Sequence, residues 1–104
     1  MYMPKAFTMQ AEIDAVVQDI ALTLRPDVER VRYDIEQDWS GDWGIFFRVT
    51  LSDDASSPRR LRQVASKVVE SMSEGLDFPS LGVFAYYNFR SAAGQKELRE
   101  EAWA

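Results

Sequence analysis

Two sets of charged residues stand close enough along this chain to act together. Asp34, Glu36 and Asp38 alternate with other residues, and Asp42 follows four positions later. Side chains at a period of two share one face of a strand. Carboxylate oxygens gathered in this way are what a Ca²⁺ or Mg²⁺ ion requires, and they are also the acids and bases left to a protein without histidine. The second set is basic. Arg30, Arg32 and Arg48 fall on strand positions, while Arg59, Arg60 and Arg62 crowd the start of a helical segment. Guanidinium groups near backbone N–H donors make a site for a phosphate or carboxylate.

Each set also has a plain structural explanation. Alternating carboxylates keep a strand edge soluble and unpaired, and their spacing has no EF-hand character. Arg32 and Arg48 face one another in the strand pairing derived below, and like charges directly opposite destabilise a sheet unless neutralised. Asp34, diagonal to Arg48, can do that. For the helix, arginines at its beginning and Glu70 and Glu74 near its end oppose the macrodipole, at about 0.3–1 kcal/mol per charge. Asp53 and Asp54 can offset this locally.

Composition narrows the chemistry further. The chain has 104 residues with neither cysteine nor histidine. Disulfides, thiolate nucleophiles, Cys-type zinc sites and histidine bases are therefore excluded. The formal net charge is −5 and the isoelectric point about 4.6, the opposite of the balance expected for a nucleic-acid binder. Hydrophobic residues make up 46%, enough for one core, so residues 1–104 are expected to form a single domain. No apolar run approaches a membrane span, and the opening MYMPKAF is too short and broken for a signal peptide. The expectation is a soluble, cytoplasmic protein with no cofactor and no nucleic-acid or membrane partner.

The elements that position these residues centre on the stretch from Val31 to Leu51. Val31, Tyr33 and Ile35 alternate with charged residues, and Trp43, Ile45, Phe47, Val49 and Leu51 alternate on the return. Paired strands must present their apolar sets to one face, and a slip of one residue would invert every side chain. Trp39-Ser40-Gly41 fits a three-residue loop, a type I turn followed by Gly41 in the left-handed conformation, with Asp38 leading in. That register sets Asp38 opposite Asp42, Ile35 opposite Ile45, Tyr33 opposite Phe47 and Val31 opposite Val49.

Residues 1–8 form an extended lead-in, from which Tyr2 and Phe7 can tuck against the body. Met9, Ile13, Val16, Val17, Ile20, Ala21 and Leu24 then make one stripe of a helix over about 9–25, with Thr8 as N-cap and Pro26 as the stop. Ser57 and Pro58 signal the start of a second helix. Its stripe is Leu61, Val64, Ala65, Val68, Val69 and Met72, and Gly75 ends it. Residues 76–80 read as a connector, and Leu81–Arg90 as a third strand rich in aromatic and β-branched residues. The tail, 91–104, is expected to form a short helix with Leu98, Ala102 and Trp103 as its apolar contacts.

The order is α-β-β-α-β with a terminal helix. A helix between strands two and three implies a right-handed parallel crossover. The expected fold is α+β: a two-layer sandwich, with a three-stranded mixed sheet in order 1-2-3 and two helices on one face. In element order it resembles a ferredoxin-like arrangement lacking its first strand, a topology shared with the cytosolic domains of cation-efflux transporters. The metal-binding histidines of those domains have no counterpart here.

With both helices on one side, Phe46, Phe84 and Tyr86 point to the other. Large adjacent aromatics there imply either an interface or a tail that lays Leu98 and Trp103 over them. Which face of the third strand is inward stays open, because Val83, Ala85, Tyr87 and Phe89 compete for that role. The functional expectation is a small non-catalytic protein-interaction module of accessory, antitoxin or immunity type. It is expected to be a homodimer through Phe46, Phe84, Tyr86 and Trp103, or to engage another protein with a basic or apolar surface. The alternative is a regulatory domain that senses a small anion or phosphate through Arg30, Arg32, Arg48, Arg59 and Arg60. A metal at Asp34, Glu36, Asp38 and Asp42 ranks below both.

Overall fold

The computed structural model describes residues 3–98 and 100–104. Its centre is the expected hairpin, formed by β1 (Val28–Gln37) and β2 (Trp43–Leu51). The register is the one the turn chemistry selects: Val31 pairs with Val49, Tyr33 with Phe47 and Ile35 with Ile45. The Gly41 N–H donates to the Asp38 carbonyl at 3.1 Å, and Gly41 has φ +88°. Only a residue that tolerates positive φ closes this turn without strain. The ladder shifts between Val28 and Arg30, so Glu29 is bulged out of the pairing.

Strand β3 (Phe84–Ser91) lies parallel to β2 on its other side, giving the sheet order β1-β2-β3. Ile45 pairs with Ala85, Phe47 with Tyr87 and Val49 with Phe89. This decides the faces of the third strand: Ala85, Tyr87 and Phe89 continue the inward row, and Phe84, Tyr86, Asn88 and Arg90 point outward. The strand starts later than its composition implies. Phe78–Leu81 coils into a short helix, α3, because the Asp77 carboxylate accepts from the Ser80 N–H at 3.2 Å and Gly82 ends the turn at φ +75°.

Helices α1 (Gln10–Thr23) and α2 (Leu61–Gly75) cover the inner face. They bury Ile13, Val17 and Ile20 from the first and Val64, Val68 and Met72 from the second, against Ile45, Phe47, Val49 and Leu51. Phe47 sits at the centre, fully buried, stacked on Tyr87 with ring centroids 5.1 Å apart and edge-on to Phe78 at 6.1 Å. A Cβ on Gly75 would lie 2.7 Å from Val16 Cγ1. The glycine thus lets the end of α2 approach α1 closely.

Both helix starts differ from expectation. Lys5–Thr8 is a turn of 3₁₀ helix, in which the Thr8 hydroxyl donates to the Lys5 carbonyl, so Thr8 is not the cap of α1. Phe7 does tuck in, edge-on to Trp43 at 5.2 Å, whereas Tyr2 lies outside the described residues. Helix α2 begins at Leu61, after a series of turns from residue 53 in which the Ser57 carbonyl accepts from the Arg60 and Leu61 N–H groups. The tail forms a helix, α4 (Ala92–Leu98), and a final 3₁₀ turn, Glu101–Trp103.

Candidate interaction surface

The outer sheet face is divided in two by the tail. At one end the 3₁₀ turn Glu101–Trp103 folds back across β1 and β2. Arg48 Nε donates to the Ala102 carbonyl at 2.7 Å, and its Nη2 meets the Asp34 carboxylate at 2.8 Å. Arg90 lies over the Trp103 ring, 4.1 Å from its centroid, and also reaches Gln95 at 3.0 Å and Glu100 at 3.5 Å. Trp103 is left only 6% exposed. The cation stacked on the ring, the carbonyl held by Arg48 and the buried indole close this end of the face.

The other end stays open, and its floor is aromatic. Tyr86 and Phe46 stack with centroids 4.8 Å apart and planes 16° from parallel. Both rings lie across Gly44: a Cβ there would stand 2.8 Å from Tyr86 Cε2 and 2.9 Å from Phe46 Cε2. Trp39, from the hairpin loop, tilts over Tyr86 at 5.5 Å and is 85% exposed. Phe84, at the start of β3, is 59% exposed. Beyond it a groove of about 680 Å³ opens between the hairpin end and α3, lined by Trp43, Phe78, Pro79, Val83 and Asp42.

Hydrogen bonds hold the hairpin loop rigidly over this floor. Asp38 accepts from the Ser40 N–H and hydroxyl, the Asp42 N–H and the Tyr86 hydroxyl, at 2.7–3.0 Å. The Ser40 hydroxyl and then the Tyr86 hydroxyl hold the Asp38 carboxyl below its ordinary range. The same bond from Asp38, with burial and the charge of Asp42, pushes the Tyr86 hydroxyl upward. Asp38 is therefore occupied in fixing Tyr86 and the loop.

The carboxylates singled out in the sequence accordingly have separate duties. Asp34 pairs with Arg48, Asp38 organises the loop, Asp42 accepts from Ser40 at 3.1 Å, and Glu36 is exposed opposite Gly44. Among the described residues no group of three or more acidic side chains is placed to hold a metal ion. The arginines are dispersed as well. Arg60 bridges Asp27 at 2.8 Å and Asp54 at 2.6 Å, whereas Arg48 is paired with Asp34. The Arg60 bond keeps the Asp27 carboxyl below its usual range. Arg32 donates to the Val31 carbonyl at 3.3 Å, Arg59 is exposed, and Arg30 edges a small cleft beside Lys96.

Of the four residues expected at an interface, Phe46, Phe84 and Tyr86 lie together on the open end. Trp103 is itself part of the tail, buried in the turn that lies over the strands at the closed end. Trp39 belongs to the open cluster and was not anticipated, because a hairpin-loop position reads only as a turn. A large aromatic in such a turn, where small polar residues are the rule, was the available signal. No protein-family model matches the chain, and no curated protein or solved structure compared with it matches. No helix among the described residues is long and apolar enough to cross a membrane.

Proposed function

We propose that this chain is a small protein-interaction module without catalysis of its own, working as a self-associated pair. The open end of the outer face carries the reading: four aromatic side chains, Trp39, Phe46, Phe84 and Tyr86, on a rigid ladder that the tail leaves uncovered. Contiguous exposed apolar surface of this kind marks contact sites, and aromatics are the residues enriched at the centres of interfaces. Asp34, Asp38, Arg48 and Arg60, four of the positions that would carry acid–base or anion chemistry, are instead engaged in ion pairs and loop bonds, which favours interaction over catalysis or ligand sensing.

Light scattering across the micromolar range tests this. The expected mass is twice that of the 11.9 kDa chain, falling toward the monomer on dilution. Phe84→Lys is expected to shift the sample to monomer while leaving its far-ultraviolet spectrum unchanged. A monomeric wild-type protein at every concentration would overturn the reading.

A further inference from the structure

We infer that the second copy is received along the free edge of β3, so that two sheets join antiparallel into one continuous six-stranded sheet. This rests on the self-association proposed above and supplies its geometry. The two edges of the sheet are built differently. Edge β1 carries the bulge at Glu29 and the charged side chains Glu29, Arg30, Arg32, Asp34 and Glu36. Bulges and charges are the devices that keep an edge from pairing. Edge β3 has neither: its ladder to β2 runs without a register shift from Phe84 to Ser91, and it is uncharged from Phe84 to Phe89. Among the described residues no further strand adjoins it.

The hydrogen-bond alternation identifies which amides are free. The Asp38 N–H donates to the Asp42 carbonyl at 2.7 Å, which makes this a bonded pair. Bonded and non-bonded pairs alternate along an antiparallel ladder. Gly44, Phe46 and Arg48 therefore direct their amides to β1, and Ile45, Phe47 and Val49 direct theirs to β3. In a parallel ladder each such residue bonds the two neighbours of its partner. Phe84, Tyr86 and Asn88 consequently face β2, while the N–H and C=O groups of Ala85, Tyr87 and Phe89 face outward.

These outward residues suit their own copies. Two antiparallel β3 strands related by a two-fold axis normal to the sheet keep the same face inward, so odd residues pair with odd. An axis through Tyr87 places Tyr87 opposite its counterpart and Ala85 opposite Phe89, all of them positions with outward amides. On the outer face it sets Phe84 opposite Arg90 and Tyr86 opposite Asn88, so no like charges meet. Charge favours this edge too. From Phe78 to Lys96 the chain has no carboxylate, its longest acid-free run, although it carries 17 Asp and Glu. Two copies of net charge −5 repel less along a strand that itself carries no acid. A strand edge alone falls short of the roughly 1,200 Å² of a stable interface. A second strand would also cover the flanks of Phe84, Tyr86, Tyr87 and Phe89, and a buried aromatic contributes about 150–250 Å².

Amide exchange by NMR on the full chain, with the mass measured on the same samples, tests the inference. In the associated protein the amides of Ala85, Tyr87 and Phe89 are expected to be protected at least tenfold more than at high dilution. Those of Tyr86 and Asn88 are expected to be protected at both concentrations. Ala85→Pro removes an outward N–H that makes no bond within the chain, a substitution edge strands tolerate. It is expected to give a folded monomer. Unprotected Ala85, Tyr87 and Phe89 amides in a sample of dimeric mass would overturn the edge geometry and leave self-association standing. A folded Ala85→Pro protein that still dimerises would do the same. A wild-type monomer at every concentration would remove both readings and leave this edge to a strand from another protein. If Ala85→Pro does not fold, the wild-type exchange pattern decides alone.

Discussion

The outer face of the sheet carries a tryptophan at each end, and the two have opposite fates. Trp103 comes from the last turn of the chain and is 6% exposed, clamped between Arg90 and the strands. Trp39 comes from the hairpin loop and is 85% exposed, leaning on Tyr86. Both contact aromatic or cationic neighbours, so local chemistry does not separate them. What separates them is the path of the tail. After β3 the chain coils into α4 and a 3₁₀ turn, and that turn lies over β1 and β2 at one end of the face. The tail closes one end of the face and leaves Trp39 and Phe84 exposed at the other.

Breaking the closed end should have the largest effect. Trp103→Ala is expected to destabilise the fold by about 3 kcal/mol, the lower range for truncating a buried aromatic, read as a lowered urea midpoint. An unchanged midpoint would mean that the tail does not pack on the sheet in solution. Gly44→Ala probes the floor of the open end. Its new methyl would stand within 3 Å of both the Tyr86 and Phe46 rings, and a cost of about 1–3 kcal/mol is expected from overpacking. Weakened self-association should accompany it, since both rings must move.

Arg48→Ala is expected to cost about 1–2 kcal/mol, because the Ala102 carbonyl and Asp34 both lose a charged partner. The loss should appear in the same urea titration and be smaller than for Trp103. A pH titration then separates the loop from the tail. The Asp38 carboxyl is depressed by its bonds from Ser40 and Tyr86, so the unfolded chain binds this proton first as pH falls. Its stabilisation is complete above the ordinary aspartate range and is lost as pH drops through the lower folded value. Asp38→Asn should flatten the acid limb of the stability curve, whereas Arg48→Ala should lower the curve without that change of shape. Trp39→Ala, the mildest change, should alter unfolding by less than about 0.5 kcal/mol, as surface substitutions do, yet weaken association.

The same contrast explains what could be read from the chain alone. The hairpin register follows from parity and from Asp38 and Gly41 in the turn, because only one arrangement puts every apolar residue inward and also closes the loop. The helix faces follow from residues such as Ile13, Val17, Val64 and Val68. The faces of β3 do not, since Phe84 and Tyr86 are as apolar as Ala85 and Tyr87. Only the parallel pairing with β2 sorts them. Helix α3 is a single turn, too short to show any period, and depends on the Asp77 cap. Thr8 and Ser57 have capping chemistry, but the Thr8 hydroxyl is used in a turn before α1 and Ser57 lies four residues before α2, contributing its carbonyl. At the surface, the outward face of Phe46 was legible from the alternation of β2, whereas Phe84 and Tyr86 depend on the pairing of β3 and the burial of Trp103 on the path of the tail. Trp39 was missed because its position is defined by a loop and its contact by a distant strand.

A second molecule reaching the open end of the outer face, beside Trp39, is the central proposal. Labelling the three tryptophans with 5-fluorotryptophan and following their ¹⁹F resonances during dilution tests it most directly. The resonance of Trp39 is expected to move with concentration as the mass changes, while that of Trp43, packed edge-on against Phe7, holds still. Movement of the Trp103 resonance with a stationary Trp39 would place the contact at the closed end and contradict the account.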